Sequence, residues 1–268
     1  MENKISLSVI LPIRSSKVRN FDEYFEKSIQ SILNQSLTVD ELVIVHTNEE
    51  SLVNFLNEYD FKGLNVKKLI WEDHPNFCSQ VNFGIKNSSN QWVSILEFDD
   101  EYSTIWFNNV AKYTESYPEF DAFLPIVVDT TNKEVFAGFT NEATFAANFS
   151  SEMGVLTNET LQNYQNFQSS GMVIKKDKFI DFGLIKPSIK LTFGWELFLR
   201  LTHNSVNIMS IPRIGYKHTN LREGSIFWNY KNGEDVLTDD EVKFWVETAK
   251  KEYLFINDRA IKYEPQEV

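Results

Sequence analysis

Residues 92–101, WVSILEFDDE, combine a short apolar run with a cluster of acidic residues. Trp, Val, Ile and Phe suit a pleated sheet, so the run predicts a buried β-strand. Acidic groups are costly to bury, and the chain should therefore leave the core at Glu97. In an open α/β sheet, ligands bind beyond the carboxyl ends of the strands. The stretch thus predicts carboxylates at a ligand-binding edge of a central sheet.

The acidic residues at the end of this strand are Glu97, Asp99, Asp100 and Glu101. Carboxylates that lie close together repel each other unless a cation lies between them. Mg²⁺ and Mn²⁺ prefer such oxygen ligands, together with the phosphate oxygens of a substrate. A divalent metal site is one interpretation of the cluster, and a solvated acidic turn is the other.

Predicted strands and helices alternate on the N-terminal side of this stretch. The apolar runs that predict strands are ISLSVILPI (5–13), ELVIVH (41–46) and NVKKLIW (65–71). Apolar residues at helical spacing predict helices over residues 21–35, 49–59 and 77–88. This β-α-β alternation predicts a three-layer α/β fold with a mainly parallel sheet and right-handed connections.

The pattern changes after residue 101. The segment 130–170 has no clear period, and a loop of this length within a compact domain is often functional. Around it, the sequence predicts helices over 103–117, 175–183, 194–203 and 238–254, strands over 121–129, 170–174 and 206–214, and an irregular segment over 216–228. Thr238 is the predicted N-cap of the last helix.

The composition limits the partners of the protein. The chain of 268 residues carries a formal net charge of −12, which argues against a nucleic-acid partner and against an electrostatic membrane anchor. An anionic substrate would then need a metal ion or a locally basic pocket. The single cysteine excludes an internal disulfide. Residues 1–14 lack the apolar region of a signal peptide, and no window predicts a transmembrane helix. We therefore expect a cytoplasmic protein. The sequence does not indicate its oligomeric state.

Seven segments, in this order along the chain, resemble the family 2 glycosyltransferases, which have the GT-A fold. They are SVILPIR (8–14), SIQSILNQSLTVDELVIV (28–45), QVNFGI (80–85), LEFDD (96–100), SSGMVIKKDKFIDFG (169–183), WELFLRL (195–201) and REGSI (222–226). Each segment alone is weak evidence, and their order over about residues 5–228 makes the resemblance specific.

The resemblance implies an α/β fold of the GT-A type, which is a Rossmann-like three-layer α/β/α arrangement around a central mixed, mainly parallel sheet. Residues 1–228 would form a single GT-A domain. Its nucleotide-sugar-binding half would comprise residues 1–101 and its acceptor-binding half residues 102–228. Residues 229–268 would form a C-terminal helix and tail.

The resemblance also implies a transferase of the hexosyltransferase type. It would move a sugar from a UDP- or GDP-sugar to a hydroxyl acceptor such as a glycan, by an inverting displacement that Mn²⁺ or Mg²⁺ assists. Asp99 matches the family's metal-binding carboxylate, and Glu97 matches the residue near the ribose and the metal. Asp100 is the adjacent carboxylate in the cluster. His218 is a candidate third ligand, with a purely structural role as the alternative.

Other residues match or neighbour the family's donor-binding positions. Pro12 and Arg14 end the first strand, where Arg14 could face the nucleotide or be a surface charge. Thr47 and Asn48 follow the second strand and could hydrogen-bond the nucleobase. Asn82 matches a retained asparagine, and its alternative role is to bond a nearby loop. Arg222 could clamp the diphosphate as a bidentate donor.

The catalytic base is the weakest part of the resemblance. The family usually has an acidic pair just before the helix that contains WELFLRL, and Phe193 and Gly194 occupy those positions here. The nearest carboxylate is Glu196, but two residues rotate a helix by roughly 200°. Glu196 is therefore the candidate base, and an i, i+4 salt bridge with Arg200 is the alternative. The run from Phe193 to Trp195 could form an aromatic floor for a sugar ring.

Two rival functions follow from what is missing. A glycosyltransferase-like module that binds a nucleotide-sugar or glycan without chemistry is favoured by the absent acidic pair. A nucleotidyltransferase ranks last, because residues 12–17 contain no glycine for a phosphate-binding loop. If the protein is an active transferase, the segment 130–170 would form much of the acceptor site. Its aromatic residues could stack on sugars or pack in the core: Phe136, Phe139, Phe145 and Phe149.

Overall fold

The computed structural model describes residues 5–146, 154–220, 222–233 and 235–254. The strands are β1 (Leu7–Ile13), β2 (Glu41–Thr47), β3 (Val66–Trp71), β4 (Trp92–Ile95), β5 (Glu101–Tyr102), β6 (Ala122–Thr130), β7 (Phe136–Thr140), β8 (Gly154–Leu156), β9 (Val173–Lys175) and β10 (Ile208–Thr219). The helices are α1 (Phe21–Leu33), α2 (Glu50–Glu58), α3 (Phe77–Asn87), α4 (Trp106–Ser116), α5 (Ala143–Ala146), α6 (Asn158–Asn163), α7 (Lys176–Asp181), α8 (Phe193–His203), α9 (Ile226–Asn232) and α10 (Asp239–Leu254).

These strands form one mixed sheet in the order β3-β2-β1-β4-β9-β6-β10-β5, with β7 beside β6 and β8 beside β10. The long pairings are parallel: β1 with β2 and β4, β2 with β3, and β6 with β10. The antiparallel β9 lies between β4 and β6 and joins the two halves of the sheet. The predicted α/β fold with a mixed, mainly parallel sheet is confirmed.

The stretch 92–101 lies at the centre of this sheet. Its strand β4 pairs in parallel with β1, from Leu7 opposite Trp92 to Ile10 opposite Ile95. The Leu96 amide donates the last hydrogen bond to the Ile10 carbonyl at 2.9 Å, and the chain then turns out of the sheet. The acidic residues therefore follow the strand end, as predicted.

Helices cover both faces of the sheet because successive strand residues point to opposite sides. One apolar cluster joins β1 and β2 to α1, α2 and α4, and the other joins them to α3, α8 and α10. Phe21, Phe25 and Ile29 form the buried stripe of α1, and complete burial of each such side chain contributes about 1.5–3 kcal/mol. A Cβ atom on Gly84 would lie 2.5 Å from Ile10 Cγ2, so glycine is needed for α3 to pack this closely.

The C-terminal half differs from the prediction in two places. Residues 130–170 contain β7, α5, β8 and α6, with residues 147–153 outside the described part. Residues 216–228 are not irregular throughout, because β10 continues to Thr219 and α9 begins at Ile226. The strand predicted over 206–214 is too short, since β10 runs through Pro212 and Gly215 in register shifts between Ser210 and Tyr216.

The last described helix, α10, packs against α8 and buries Ala249 in the core. Its predicted N-cap is confirmed, since the Glu241 amide donates to Thr238 Oγ1 and the Glu241 carboxylate accepts from the Thr238 amide. The predicted C-terminal tail from residue 255 onward lies outside the described residues. None of the helices that the structure describes combines the length and apolar character needed to cross a membrane.

Candidate active site

A cavity of about 470 Å³ opens at the carboxyl ends of the central strands. Four strands that run in the same direction bring residues to its wall: Pro12 in β1 and Arg14 after it, Glu97 and Asp99 after β4, Asp129 in β6, and His218 and Thr219 in β10. The edge of the sheet that the sequence predicted as a ligand site is therefore concave.

Glu97, Asp100 and His218 form a group whose potential ligand atoms all lie within 4.8 Å of one another. Asp100 is 1% exposed, and its Oδ1 accepts from the Thr219 amide at 2.8 Å. Its Oδ2 is buried and has no hydrogen-bond partner among the described residues. A buried carboxylate oxygen without a partner is costly unless a cation compensates it. Two carboxylates and an imidazole with one such oxygen fit a divalent metal ion.

The charges of this group are strongly perturbed. Burial raises the pKa of Asp100 well above its usual range, with Glu97 and Asp99 adding to the effect. Burial likewise raises the pKa of Glu97, against the opposing charge of His218. Burial alone would lower the pKa of His218, but Asp100, Asp129 and Glu97 together raise it to about 10. These opposing shifts show that the carboxylates and the imidazole interact strongly at this point.

Glu97 is held in place by two contacts. Ser170 Oγ donates to Glu97 Oε1 at 2.6 Å, and the Glu97 amide donates to Tyr216 Oη at 3.0 Å. Tyr216 reaches this position beside Gly171, which has φ of +79° and whose added Cβ would lie 2.6 Å from the tyrosine ring. Gly171 is thus required for both its backbone conformation and the room it leaves.

Asp99 lies on the other side of the acidic turn and is paired with Arg222. Arg222 donates from Nε to Asp99 Oδ2, and its guanidinium lies 4.8 Å from the ring centre of Phe98. Both charged side chains are only 7% exposed. The sequence assigned the metal to Asp99 first, whereas the structure groups Asp100 with Glu97 and His218 and leaves Asp99 to a cation supplied by the protein.

Arg14 adds a second cation to the same wall. Its Nη2 donates to the Gly224 carbonyl at 3.1 Å, in the turn that follows Arg222. Burial lowers the pKa of Arg14, and the neighbouring Arg222 lowers it further. Two guanidinium groups that repel each other at one cavity favour an anion between or beside them. Arg14 and Arg222 are the cations on this wall that an anionic substrate of an acidic protein would need.

Three of the predicted nucleotide contacts lie outside the cavity wall. Thr47 donates from Oγ1 to the Arg14 carbonyl at 3.0 Å, and Asn48 is exposed. Asn82 uses both ends of its amide on Ile185, donating to its carbonyl at 2.7 Å and accepting from its amide at 3.0 Å. The alternative interpretation of Asn82, a helix residue that bonds a nearby loop, is the one that the structure shows.

Glu196 also takes the alternative role. It is fully buried and accepts from Arg200 Nε at 2.9 Å and Nη2 at 3.0 Å, with Lys186 Nζ at 2.9 Å. Because α8 begins at Phe193, the first turn presents Phe193, Gly194 and Trp195 to the cavity, and Glu196 is not among the lining residues. A base must reach the acceptor hydroxyl, and the ion-paired Glu196 lies behind the cavity lining, so its role as a base stays a prediction.

One wall of the cavity is apolar. Phe193 and Phe227 stack with ring centres 6.0 Å apart, and Val242 and Val246 of α10 complete this side. Phe193 and Trp195 line the cavity where an aromatic floor for a sugar ring was predicted, while the contributions of α9 and α10 were missed. Only tertiary packing brings them there, because α10 lies beyond the segments with a family resemblance and α9 overlaps them only at Ile226.

The aromatic residues of the segment 130–170 differ in their exposure to solvent. Phe136 and Phe139 are 58% and 43% exposed and contact each other at 5.0 Å, so they do not pack in the core. Phe145 is half-buried, and Phe149 lies outside the described residues. Thr140, at the end of the same strand, lines the cavity, as do residues 165–170.

The fold and the carboxylate-rich cavity at the strand ends define the GT-A class of α/β proteins. Residues 8–179 match the Glycosyl transferase family 2, and the chain belongs to this family. A curated relative from Haemophilus influenzae, described as an uncharacterized glycosyltransferase, is 24% identical over 133 residues. That match covers 48% of this chain and 40% of the relative, so the chain spans less than half of the relative's length.

Solved structures agree on the fold. S. aureus TarS 1-349 in complex with UDP-GlcNAc has a TM-score of 0.63 at 15% identity, covering 97% of this chain and 77% of that chain. The same protein in complex with UDP has a TM-score of 0.60 at 15% identity, covering 97% and 76%. At this identity the likeness establishes the common architecture.

Proposed function

We propose that the protein transfers a sugar from a nucleotide-diphosphate sugar, such as a UDP- or GDP-sugar, to a hydroxyl acceptor of the glycan type. The observation that carries this proposal is the buried Oδ2 of Asp100, which lies in one group with Glu97 and His218 and has no hydrogen-bond partner within the described part of the chain. Two arginines, Arg14 and Arg222, line the same cavity. Two findings support the choice of donor. The chain belongs to the glycosyl transferase family 2, and its fold is similar to that of S. aureus TarS, which was solved in complex with UDP-GlcNAc.

Glu97, Asp100 and His218 would hold Mn²⁺ or Mg²⁺. When bound, the ion would neutralise charge on the leaving nucleoside diphosphate. Arg14 and Arg222 would bind the remaining phosphate oxygens, with Arg222 exchanging part of its contact with Asp99 for the diphosphate. Each of these residues therefore acts on the leaving group, which is where negative charge develops in the transition state.

The reaction would be a direct displacement that inverts the anomeric carbon. The acceptor oxygen forms its bond to that carbon while the bond to the diphosphate oxygen breaks, and the acceptor proton passes to a base. The acceptor would lie between residues 165–170 and the apolar wall of Phe193, Trp195 and Phe227. Aromatic side chains of this kind can stack on the apolar face of a sugar ring and exclude water.

A calorimetric titration with UDP- and GDP-sugars, with and without Mn²⁺, tests the donor and the metal together. We expect metal-dependent binding of one donor and its loss in Asp100→Asn, while Asp22→Asn, an exposed carboxylate on α1, serves as the matched control. Equal donor binding with and without Mn²⁺ would remove the metal from the proposal. Sugar transfer to a panel of glycan acceptors is then measured by release of the nucleoside diphosphate.

One observation favours a second function. The three residues of α8 that line the cavity, Phe193, Gly194 and Trp195, carry no carboxylate, and Glu196 is enclosed in an ion pair. A module that binds a nucleotide-sugar without transferring it would have this arrangement. Donor binding without turnover, and without hydrolysis over long incubation, is the result that distinguishes this module from the enzyme.

A further inference from the structure

A chain of hydrogen bonds leads from the second half of the sheet to the candidate metal group. Thr140 Oγ1 donates to Asp129 Oδ2 at 2.6 Å, and Asp129 Oδ1 lies 2.8 Å from His218 Nδ1. Both oxygens of Asp129 are therefore already in contact with a neighbour. These hydrogen bonds end at His218, which lies next to Glu97 and Asp100, the other two members of the metal group.

The sheet fixes all three residues. His218 is directly opposite Asp129 in the parallel pair of β6 and β10, and β7 folds back on β6 so that Thr140 is opposite Val127. Asp129 and Thr140 are 8% and 6% exposed, so little water competes for their hydrogen bonds. Positions held on adjacent strands keep their geometry better than positions on loops.

The chemistry of imidazole explains what these hydrogen bonds could do. A neutral imidazole donates from one ring nitrogen and accepts at the other, and a carboxylate can only accept. When an ion displaces the Nε2 proton of His218, Asp129 would keep the remaining proton on Nδ1 and the Nε2 lone pair would face the ion. A histidine that binds a metal usually donates its other N–H to a carboxylate in this way, and the second partner sets both ring orientation and basicity.

We propose that Asp129 and Thr140 are positioning residues that orient His218 and fix its tautomer for metal binding, an inference that rests on the proposed metal site. Asp129 binds the imidazole, and Thr140 fixes the Asp129 carboxylate by occupying its second oxygen. No sequence segment that resembles the family includes either residue. The strand β7, which brings Thr140 to the site, belongs to the segment that the sequence left without a period.

The first test is the Mn²⁺ affinity of the full chain, measured by calorimetry. We expect Asp129→Asn to weaken Mn²⁺ binding by about 10–100-fold. Thr140→Val should weaken it by a smaller factor, and Thr140→Ser, which retains the hydroxyl, should restore it. Asp121→Asn is the matched control, because Asp121 is equally buried next to the opposite end of β6 and pairs with Lys175. Its Mn²⁺ affinity should equal that of the unchanged protein.

The second test reads the tautomer directly. In ¹⁵N-histidine protein loaded with diamagnetic Mg²⁺, long-range ¹H–¹⁵N spectra distinguish a protonated Nδ1 from a protonated Nε2. The chain has four histidines, and His218→Gln assigns the signal. We expect the Nδ1–H form in the unchanged protein and a mixture in Asp129→Asn, because an amide can either accept from or donate to Nδ1.

The outcomes separate the possible errors. If the unchanged protein does not bind Mn²⁺, the metal site and the inference both fail. If it binds Mn²⁺ but Asp129→Asn and Thr140→Val bind equally well, the inference alone fails. A loss of turnover in Asp129→Asn at unchanged Mn²⁺ affinity would also overturn it and would make Asp129 the base. If Asp129→Asn does not fold, the Thr140→Val and Thr140→Ser pair decides the result.

Discussion

Asp99 accepts from Arg222, a residue 123 positions further along the chain, and the pair lies over the ring of Phe98. This contact divides the acidic turn into two parts. Asp99 is neutralised by the protein itself, whereas Asp100 lies beside Glu97 and His218, and one of its oxygens has no partner among the residues that the structure describes. The proposed donor site thus has two sides that begin at adjacent residues. The side of Asp100 would bind a cation, and the side of Asp99 and Arg222 would bind an anion.

Removal of the Arg222 guanidinium should weaken binding of the donor more than binding of the metal ion. We expect Arg222→Met to lower UDP-sugar affinity by about 10–100-fold, since a hydrogen bond to a charged group contributes about 1.5–3 kcal/mol. Mn²⁺ affinity should stay equal or increase, because Asp99 is then free to attract the ion. Calorimetry measures both, with Arg19→Met, an exposed arginine, as the control. Unchanged donor affinity would exclude Arg222 from the diphosphate site.

The metal ion should stabilise the folded protein. A ligand that binds only the native state raises the free energy of unfolding by RT ln(1 + [L]/Kd), which is about 2.7 kcal/mol at a hundredfold excess over Kd. We expect the thermal midpoint to rise with Mn²⁺ and to return after chelation with EDTA. The rise should be absent in Asp100→Asn and present in Asp22→Asn. A rise of equal size in both variants would place the stabilising ion elsewhere.

Glu196 should matter for stability and not for donor binding. In Glu196→Gln the buried Arg200 loses its counter-charge, and breaking a buried ion pair from one side costs about 3–5 kcal/mol. Denaturant unfolding should show this loss, while Glu58→Gln on the exposed face of α2 should change stability by less than about 0.5 kcal/mol. A stable Glu196→Gln variant that binds donor but has lost turnover would restore Glu196 as the base.

Cys78 should be unreactive in the folded protein. Burial raises the pKa of its thiol to about 12, so the thiolate fraction is very small at pH 8. Because the pKa of the thiol is raised in the folded state, the protonated thiol stabilises the folded protein. This contribution is complete below the unfolded pKa near 8.5 and is lost as the pH rises toward 12. We expect slow alkylation by iodoacetamide in buffer and rapid alkylation in denaturant, followed by mass spectrometry. Equal rates would show that the thiol is accessible.

The N-terminal half of the fold was largely predictable from the sequence. The strands and helices from β1 to β4 have strong local periodicity, and parallel strands joined by helices have few alternative arrangements. The acidic turn after β4 was predictable for the same reason, since its position depends on where one apolar run ends. Asp129 gave a comparable signal, as an acid at the end of the predicted strand 121–129, and was missed.

The C-terminal half was less predictable because its elements depend on distant partners. The strand β10 continues past Pro212 and Gly215 in two register shifts, with β6 along one side and β5 pairing with it from Tyr216. The helix α10 forms part of the cavity because it packs on α8, and local sequence specifies its cap but not its neighbour. Loop closure over such distances leaves no periodic signal in the chain.

By itself, the sequence determined the α/β architecture, the family resemblance and the cluster of acidic residues at the end of β4. Only the tertiary structure decided the role of each charged residue: Asp99 pairs with Arg222, Asp129 with His218, and Glu196 with Arg200. The physical reason is that a charge is costly to bury without a partner, and the available partner is set by which strands and helices are neighbours. Residue type shows that a carboxylate can bind a metal, and packing selects the one that is left free to do so.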